Sequence, residues 1–176
     1  MKGLIKGFSA SLAFASASSF AHTGHHMEAS FSEGFLHPLT GWDHLIALAL
    51  IGLFLSAFAL RRASQISAVI MAAIAGGYAI GLEWAGATSV EALVVSSLIG
   101  LPLALIALKK GGAKSLVAAA AIILFSVSHG LVQGAEAHGS AGQFGLGVML
   151  ASALVISVTY VIARQAAQLK ARMASQ

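Results

Sequence analysis

The sequence contains no cysteine. Disulfides, iron–sulfur clusters and thiolate metal sites are therefore excluded, and the redox compartment is left open. Charge is also scarce. Asp, Glu, Lys and Arg make up 9% of the residues, against about 25% in a soluble domain. The formal net charge of +4 and a pI near 9.8 do not indicate nucleic acid. The ten Lys and Arg are scattered between apolar stretches, with no basic stripe and no aromatic residues interleaved with them. A Walker A loop is missing too. Gly-Gly-Ala-Lys-Ser at Gly111 to Ser115 lacks its spacing, which excludes ATP hydrolysis by a P-loop. No internal repeat marks two duplicated halves.

What the chain has in abundance is apolar sequence. Over 176 residues it is 58% hydrophobic, with a mean hydropathy of +0.88. That balance belongs to a membrane protein. Met1 to Ala21 reads as a cleavable signal peptide. Lys2 and Lys6 form its positive region, Phe8 to Phe20 its short apolar stretch, and Ser19 and Ala21 its small cleavage residues. Residues 22–36 then form a polar, histidine-bearing segment outside the cytoplasm. Residues 37–164 form the membrane domain, and 165–176 a cytoplasmic tail that is either a short helix or disordered.

Five apolar stretches have the length of a membrane-crossing helix: Gly41–Leu60, Gln65–Trp84, Ala92–Leu108, Leu116–Ala135 and Phe144–Ala163. The expected fold is an all-α polytopic bundle of five transmembrane helices. Arg61 and Arg62, then Lys109, Lys110 and Lys114, then Arg164, Lys170 and Arg172 follow alternate spans, while the other two connections carry no Lys or Arg. Positive residues stay inside. The mature N-terminus is therefore expected out and the C-terminus in, which suits an odd number of spans in a bacterial inner membrane. Trp42 and Trp84 fall at outer ends, where interfacial aromatics belong. Gly77 with Gly81, and Gly130 with Gly134, are spaced for close helix contact, within the chain or in an oligomer. Pro102 is expected to kink the third span.

The ionisable residues are distributed unevenly. On this topology every acid and histidine of the mature chain lies in the outer half of the membrane or beyond it. Charge inside a membrane is costly and marks function. The densest cluster is His-Pro-Leu-Thr-Gly-Trp-Asp-His, His37 to His44. His129, Gln133 and Glu136 form a matching polar stripe on the fourth span. His37 and His44 are seven apart, as are His129 and Glu136, and the two spans are antiparallel. Placing His37 and Glu136 at the rim puts His44 and His129 at one depth below. Glu83, at the end of the second span, is a third contributor.

Neutral imidazole with carboxylate suits Ni, Co, Zn, Cu(II) or Fe(II). The candidate metal residues are His37, Asp43, His44, His129, Gln133, Glu136 and Glu83, with His22, His25 and His26 as outer capture groups. In a continuous helix His37 and His44 are too far apart to share an ion. Either the chain breaks between them, at Pro38 or Gly41, or His37 belongs to an outer site and Asp43 and His44 to a deeper one.

At these residues the chain resembles the HupE/UreJ family of membrane nickel/cobalt permeases. His37 to His44 is similar to that family's first-span signature, a histidine, five residues and then Asp-His. Ser128 to Glu136, S-H-G-L-V-Q-G-A-E, is similar to its second, F-H-G-x-A/V-H-G-x-E. His129, Gly130, Gly134 and Glu136 match, while Ser128 and Gln133 depart. The resemblance covers essentially the whole chain. It implies Ni²⁺ uptake supplying urease or hydrogenase, no tightly bound cofactor, no enzymatic activity, and roles for His37, Asp43, His44, His129 and Glu136 in metal passage. The rival readings are a non-transporting metal sensor or assembly protein, a haem-binding subunit with His44 and His129 as axial ligands, and a metal-dependent intramembrane hydrolase.

Overall fold

The computed structural model describes residues 30–84, 87–111, 114–137 and 139–175. The signal-peptide reading and His22, His25, His26 and His138 lie outside the described residues. Six α-helices follow one another: α1 (Phe31–Thr40), α2 (Trp42–Leu55), α3 (Leu60–Gly81), α4 (Glu91–Lys110), α5 (Lys114–Ala135) and α6 (Ala141–Ala174), with a 3₁₀ turn at Ala87–Val90 before α4. The fold is all-α, as expected.

Four helices, α3 to α6, are long and apolar enough to cross a membrane, and α1 with α2 make a fifth such unit only if taken together. This corrects the first expected span. Gly41–Leu60 is not one helix. α2 ends at Leu55, and its 14 residues reach about 21 Å at 1.5 Å each, short of the roughly 30 Å apolar layer. α1 meets it at an angle of 76°. α1 also begins inside the stretch read as an extramembrane segment. Ser30 starts it with a capping box, its hydroxyl accepting from the Glu33 N–H while Glu33 accepts from the Ser30 N–H. Gly34 then lets α1 lie against the Phe144 backbone of α6, and Gly147 returns the favour against Phe31 and Phe35.

The other boundaries shift modestly. α3 starts at Leu60 rather than Gln65 and ends at Gly81. α4 runs unbroken from Glu91 to Lys110 through Pro102. α6 continues to Ala174, so the tail is helical and part of the last span's helix.

α5 is the central helix: 44% of its apolar window is buried, against 28% for α3 and for α4. It packs on α3 and α4, while α6 packs on α1 and α2. The α3–α5 seam is made by the four paired glycines. A Cβ on Gly77 or Gly81 would strike the backbone at Val127 or Leu131, and one on Gly130 or Gly134 would strike the backbone at Ile74 or Tyr78. Small residues let helices approach where lipid removes any hydrophobic drive between them. These glycine faces are thus used within the chain rather than against a second copy. The outward faces carry Leu53, Val69, Ile99, Leu103, Leu116 and Leu146, all exposed, as a surface solvated by lipid requires.

The two ends of the bundle differ in chemistry. At one end lie the α1–α2 break, the end of α3, the starts of α4 and α6 and the end of α5. Among the described residues it holds every acid and histidine. At the other end Arg164 Nη1 donates to the carbonyls of Phe58 (2.8 Å) and Ser56 (3.2 Å), pinning the α2–α3 turn to α6. Arg62 stacks over the Phe58 ring at 5.5 Å.

Candidate metal site

The break in the first apolar unit builds the site. Gly41 closes α1 and opens α2 in an extended conformation, φ −76° and ψ 108°. Its N–H donates to His37 O and its carbonyl accepts from Leu45 N–H, so the backbone stays satisfied across the turn. The absent side chain matters: a Cβ here would lie 3.2 Å from His44 Nδ1 and 3.4 Å from Asp43 Oδ1. The Asp43–His44 pair tucks under the break in that space. The turn brings His37 and His44 together, their ring centroids 5.1 Å apart at an edge-on 79°.

From there a row of rings crosses the bundle. Tyr78 of α3 stacks on Phe144 of α6 at 6.5 Å, and Phe144 lies 5.7 Å from His37 of α1. His37 meets His44 of α2, and His44 lies 5.1 Å from His129 of α5. The Tyr78 hydroxyl donates to Ala141 O at 2.5 Å, fixing the end of the row. Five helices contribute one ring each. α2 and α5 share no extensive backbone interface; the imidazoles themselves span the gap between them.

The sequence expectations at the rim hold geometrically. His37 Nε2 lies 3.3 Å from Glu136 Oε2, both partly exposed. His44 and His129 face each other below, 2% and 8% exposed. The expected separation of two tiers does not hold, because the His37–His44 contact joins them. Gln133 is fully enclosed on the same stripe of α5 as His129 and Glu136. Ser128, the other departure from the family signature, donates to Leu124 O on its own helix. Glu83 is exposed beyond the end of α3 and does not join the enclosed group.

The hydrogen bonds dictate which nitrogens are bare. Asp43 Oδ1 lies 2.9 Å from His44 Nδ1. A carboxylate only accepts, so Nδ1 carries a hydrogen, and in the neutral ring the lone pair is on Nε2. That Nε2 is buried without a hydrogen-bond partner, as are His129 Nδ1 and Gln133 Oε1. Buried polar atoms are normally paired. Two orphaned imidazole nitrogens on facing rings, with an orphaned amide oxygen one turn along from His129, are a donor set waiting for an electrophile. A carboxylate behind a ligating histidine is a recurrent arrangement that orients the ring and raises its basicity. Among the described residues no three His, Asp or Glu side chains already stand around a single point as a closed metal site.

Below the histidines lies a cavity of about 10 Å³, bounded by His44, His129, Ser126, Ile51, Ile74 and Leu101. It has room for about one water. Cofactor pockets run to about 300–1,000 Å³, so a haem between His44 and His129 does not fit. Sequence reasoning missed three neighbours of the site: Tyr78, Phe144 and Ser97. Tyr78 sits beside the paired glycines, which could have flagged it. Phe144 and Ser97 had no distinguishing pattern in their apolar surroundings.

No curated protein and no solved structure matches the chain. The HupE / UreJ protein family matches residues 10–176, which include the broken first unit, the histidine pair and the glycine seam. With both signature stretches now seen to meet at one end of the bundle, the chain belongs to the HupE / UreJ family, a family of transporter type.

Proposed function

We propose that this protein is a multi-pass permease for divalent transition-metal ions, with Ni²⁺ or Co²⁺ as cargo, serving urease or a hydrogenase from a bacterial inner membrane. The observation that carries this reading is the pair of buried, unpartnered nitrogens, His44 Nε2 and His129 Nδ1. Imidazole suits these borderline ions, and family membership supports the substrate class.

The working sequence begins outside, with His37 and Glu136 receiving the ion at the rim. It passes to His44, oriented by Asp43, and to His129, with Gln133 as an oxygen donor. Retained water completes the coordination. A permeation site must bind weakly enough to release its ion. The broken α1–α2 unit belongs to this reading, since interrupted helices line ion sites in transporters. The Arg- and Lys-rich end faces the cytoplasm by the positive-inside rule. A membrane potential then contributes about 2.3 kcal/mol per charge per 100 mV. A divalent ion gains about 4.6 kcal/mol, enough for roughly thousand-fold accumulation. No nucleotide is needed.

Uptake of Ni, Co, Zn and Cu into proteoliposomes, with and without an imposed potential, tests the proposal. His44→Ala and Asp43→Ala are expected to abolish uptake of the preferred ion. Unchanged accumulation in both variants would overturn it. Binding without any flux would favour a sensor or assembly role instead.

A further inference from the structure

One polar side chain at the site comes from a helix that carries neither signature stretch. Ser97 lies in the middle of an apolar run of α4, and its side chain is wholly buried. Its Oγ is 2.5 Å from Val94 O, on its own helix, and 3.2 Å from His129 Nε2, on α5. The first contact alone is commonplace for serine in a membrane helix. Together the two contacts settle a proton count. The hydroxyl has one hydrogen, and the Val94 carbonyl can only accept it. With that hydrogen committed to Val94, Oγ can meet His129 Nε2 only as an acceptor. The hydrogen of the neutral ring therefore resides on Nε2. The lone pair is left on Nδ1, the atom that is buried with no hydrogen-bond partner.

We propose that Ser97 is a positioning residue for His129. Its hydroxyl, polarised by Val94 O, holds the imidazole in the Nε2–H form and fixes the ring so that Nδ1 is the ligating atom. The inference rests on the permease reading above and deepens it. α2 and α4 then treat the two facing histidines in parallel. Asp43 accepts from His44 Nδ1–H and bares Nε2; Ser97 accepts from His129 Nε2–H and bares Nδ1. One histidine thus ligates through each kind of nitrogen. The difference follows from where the acceptor lies: next to His44 on its own helix α2, and across from His129 on α4. Second partners of this kind typically alter metal affinity about 10–100-fold when removed.

Two measurements test this. Nitrogen-15 NMR of histidine-labelled, metal-free protein in detergent reads the tautomer of His129 directly and needs no variant at Ser97. Assignment comes from the signal lost in His129→Ala. The Nε2–H form is expected, and an Nδ1–H form would overturn the proposal. Ni²⁺ titration by calorimetry is the second. Ser97→Ala is expected to weaken binding about tenfold or more, with thermal stability in detergent little changed. Ser97→Thr, which keeps the hydroxyl, is expected to bind like the unaltered protein. Loss of stability with unaltered affinity in Ser97→Ala would assign Ser97 a packing role and overturn the proposal. Failure of the permease reading is separately visible, whatever tautomer His129 adopts: the unaltered protein would then bind Ni²⁺ without carrying it into proteoliposomes, or its Ni²⁺ binding would be the same in the His44→Ala variant.

Discussion

His37 and His44 are seven residues apart in the chain, yet their rings meet edge-on at 5.1 Å. On an unbroken helix that spacing separates them by about 10 Å along the axis. The 76° bend at Gly41 removes the difference. It joins the His37–Glu136 pair to the buried histidine pair, so on the proposed function an ion received at His37 and Glu136 is one ring away from His44.

Gly41 is therefore expected to resist substitution for steric rather than conformational reasons, since its backbone is ordinary extended geometry. Gly41→Ala places a methyl 3.2 Å from His44 Nδ1 and 3.4 Å from Asp43 Oδ1, a contact that small shifts relieve. Gly41→Val does not allow that relief. Nickel uptake should fall a few-fold in the first and about 10–100-fold in the second, as when a ligand's supporting partner is disturbed. Equal uptake in both would show that the Asp43–His44 pair does not depend on this space.

The neighbours Gly76 and Gly77 provide an internal control. A Cβ at Gly76 meets nothing within 4 Å, whereas one at Gly77 strikes the Val127 backbone. Gly76→Ala should be neutral, or stabilise by about 0.5–1 kcal/mol through helix propensity. Gly77→Ala should destabilise by about 1–3 kcal/mol, the usual cost of overpacking. Reversible unfolding in mixed micelles measures both.

Arg164 holds the other end. Removing it leaves the carbonyls of Ser56 and Phe58 without this donor. Arg164→Ala should cost about 1.5–3 kcal/mol, the range for hydrogen bonds to a charged group. Nickel affinity should stay the same, since the proposed site is at the opposite end of the bundle. A thermal melt paired with a metal titration distinguishes this from an effect on the site.

Gln133 offers an amide where the family signature has a second histidine in the same helix. An amide oxygen is a harder and weaker ligand than imidazole for Ni²⁺ or Co²⁺. Gln133→His should tighten Ni²⁺ binding about tenfold and slow turnover, because release becomes the harder step. Calorimetry alongside initial uptake rates would show the two moving in opposite directions.

The membrane class, the helical fold, the charge difference between the two ends and the glycine seam were all legible in the chain, because each is written in local composition or in spacing along one helix. The His44–His129 depth match followed from the same arithmetic, one seven-residue interval read against another on antiparallel helices. Pro38 and Gly41 stood out as the places where the first apolar unit could break. Where α1 lies after the break is a matter of its packing on α6, with Gly34 against the Phe144 backbone and Gly147 against Phe31 and Phe35. No pattern within residues 37–44 contains that information. Ser97 was illegible for a related reason: in sequence it is one more small residue in an apolar run. Its meaning lies in a 3.2 Å contact with a side chain 32 positions away. Residue type and charge bias are local properties, so the candidate metal-binding groups and the end of the bundle they share could be read from the chain alone. Helix packing was needed to bring His44 and His129 face to face and to set Ser97 beside His129, because a contact across two helices has no trace in the spacing along either one.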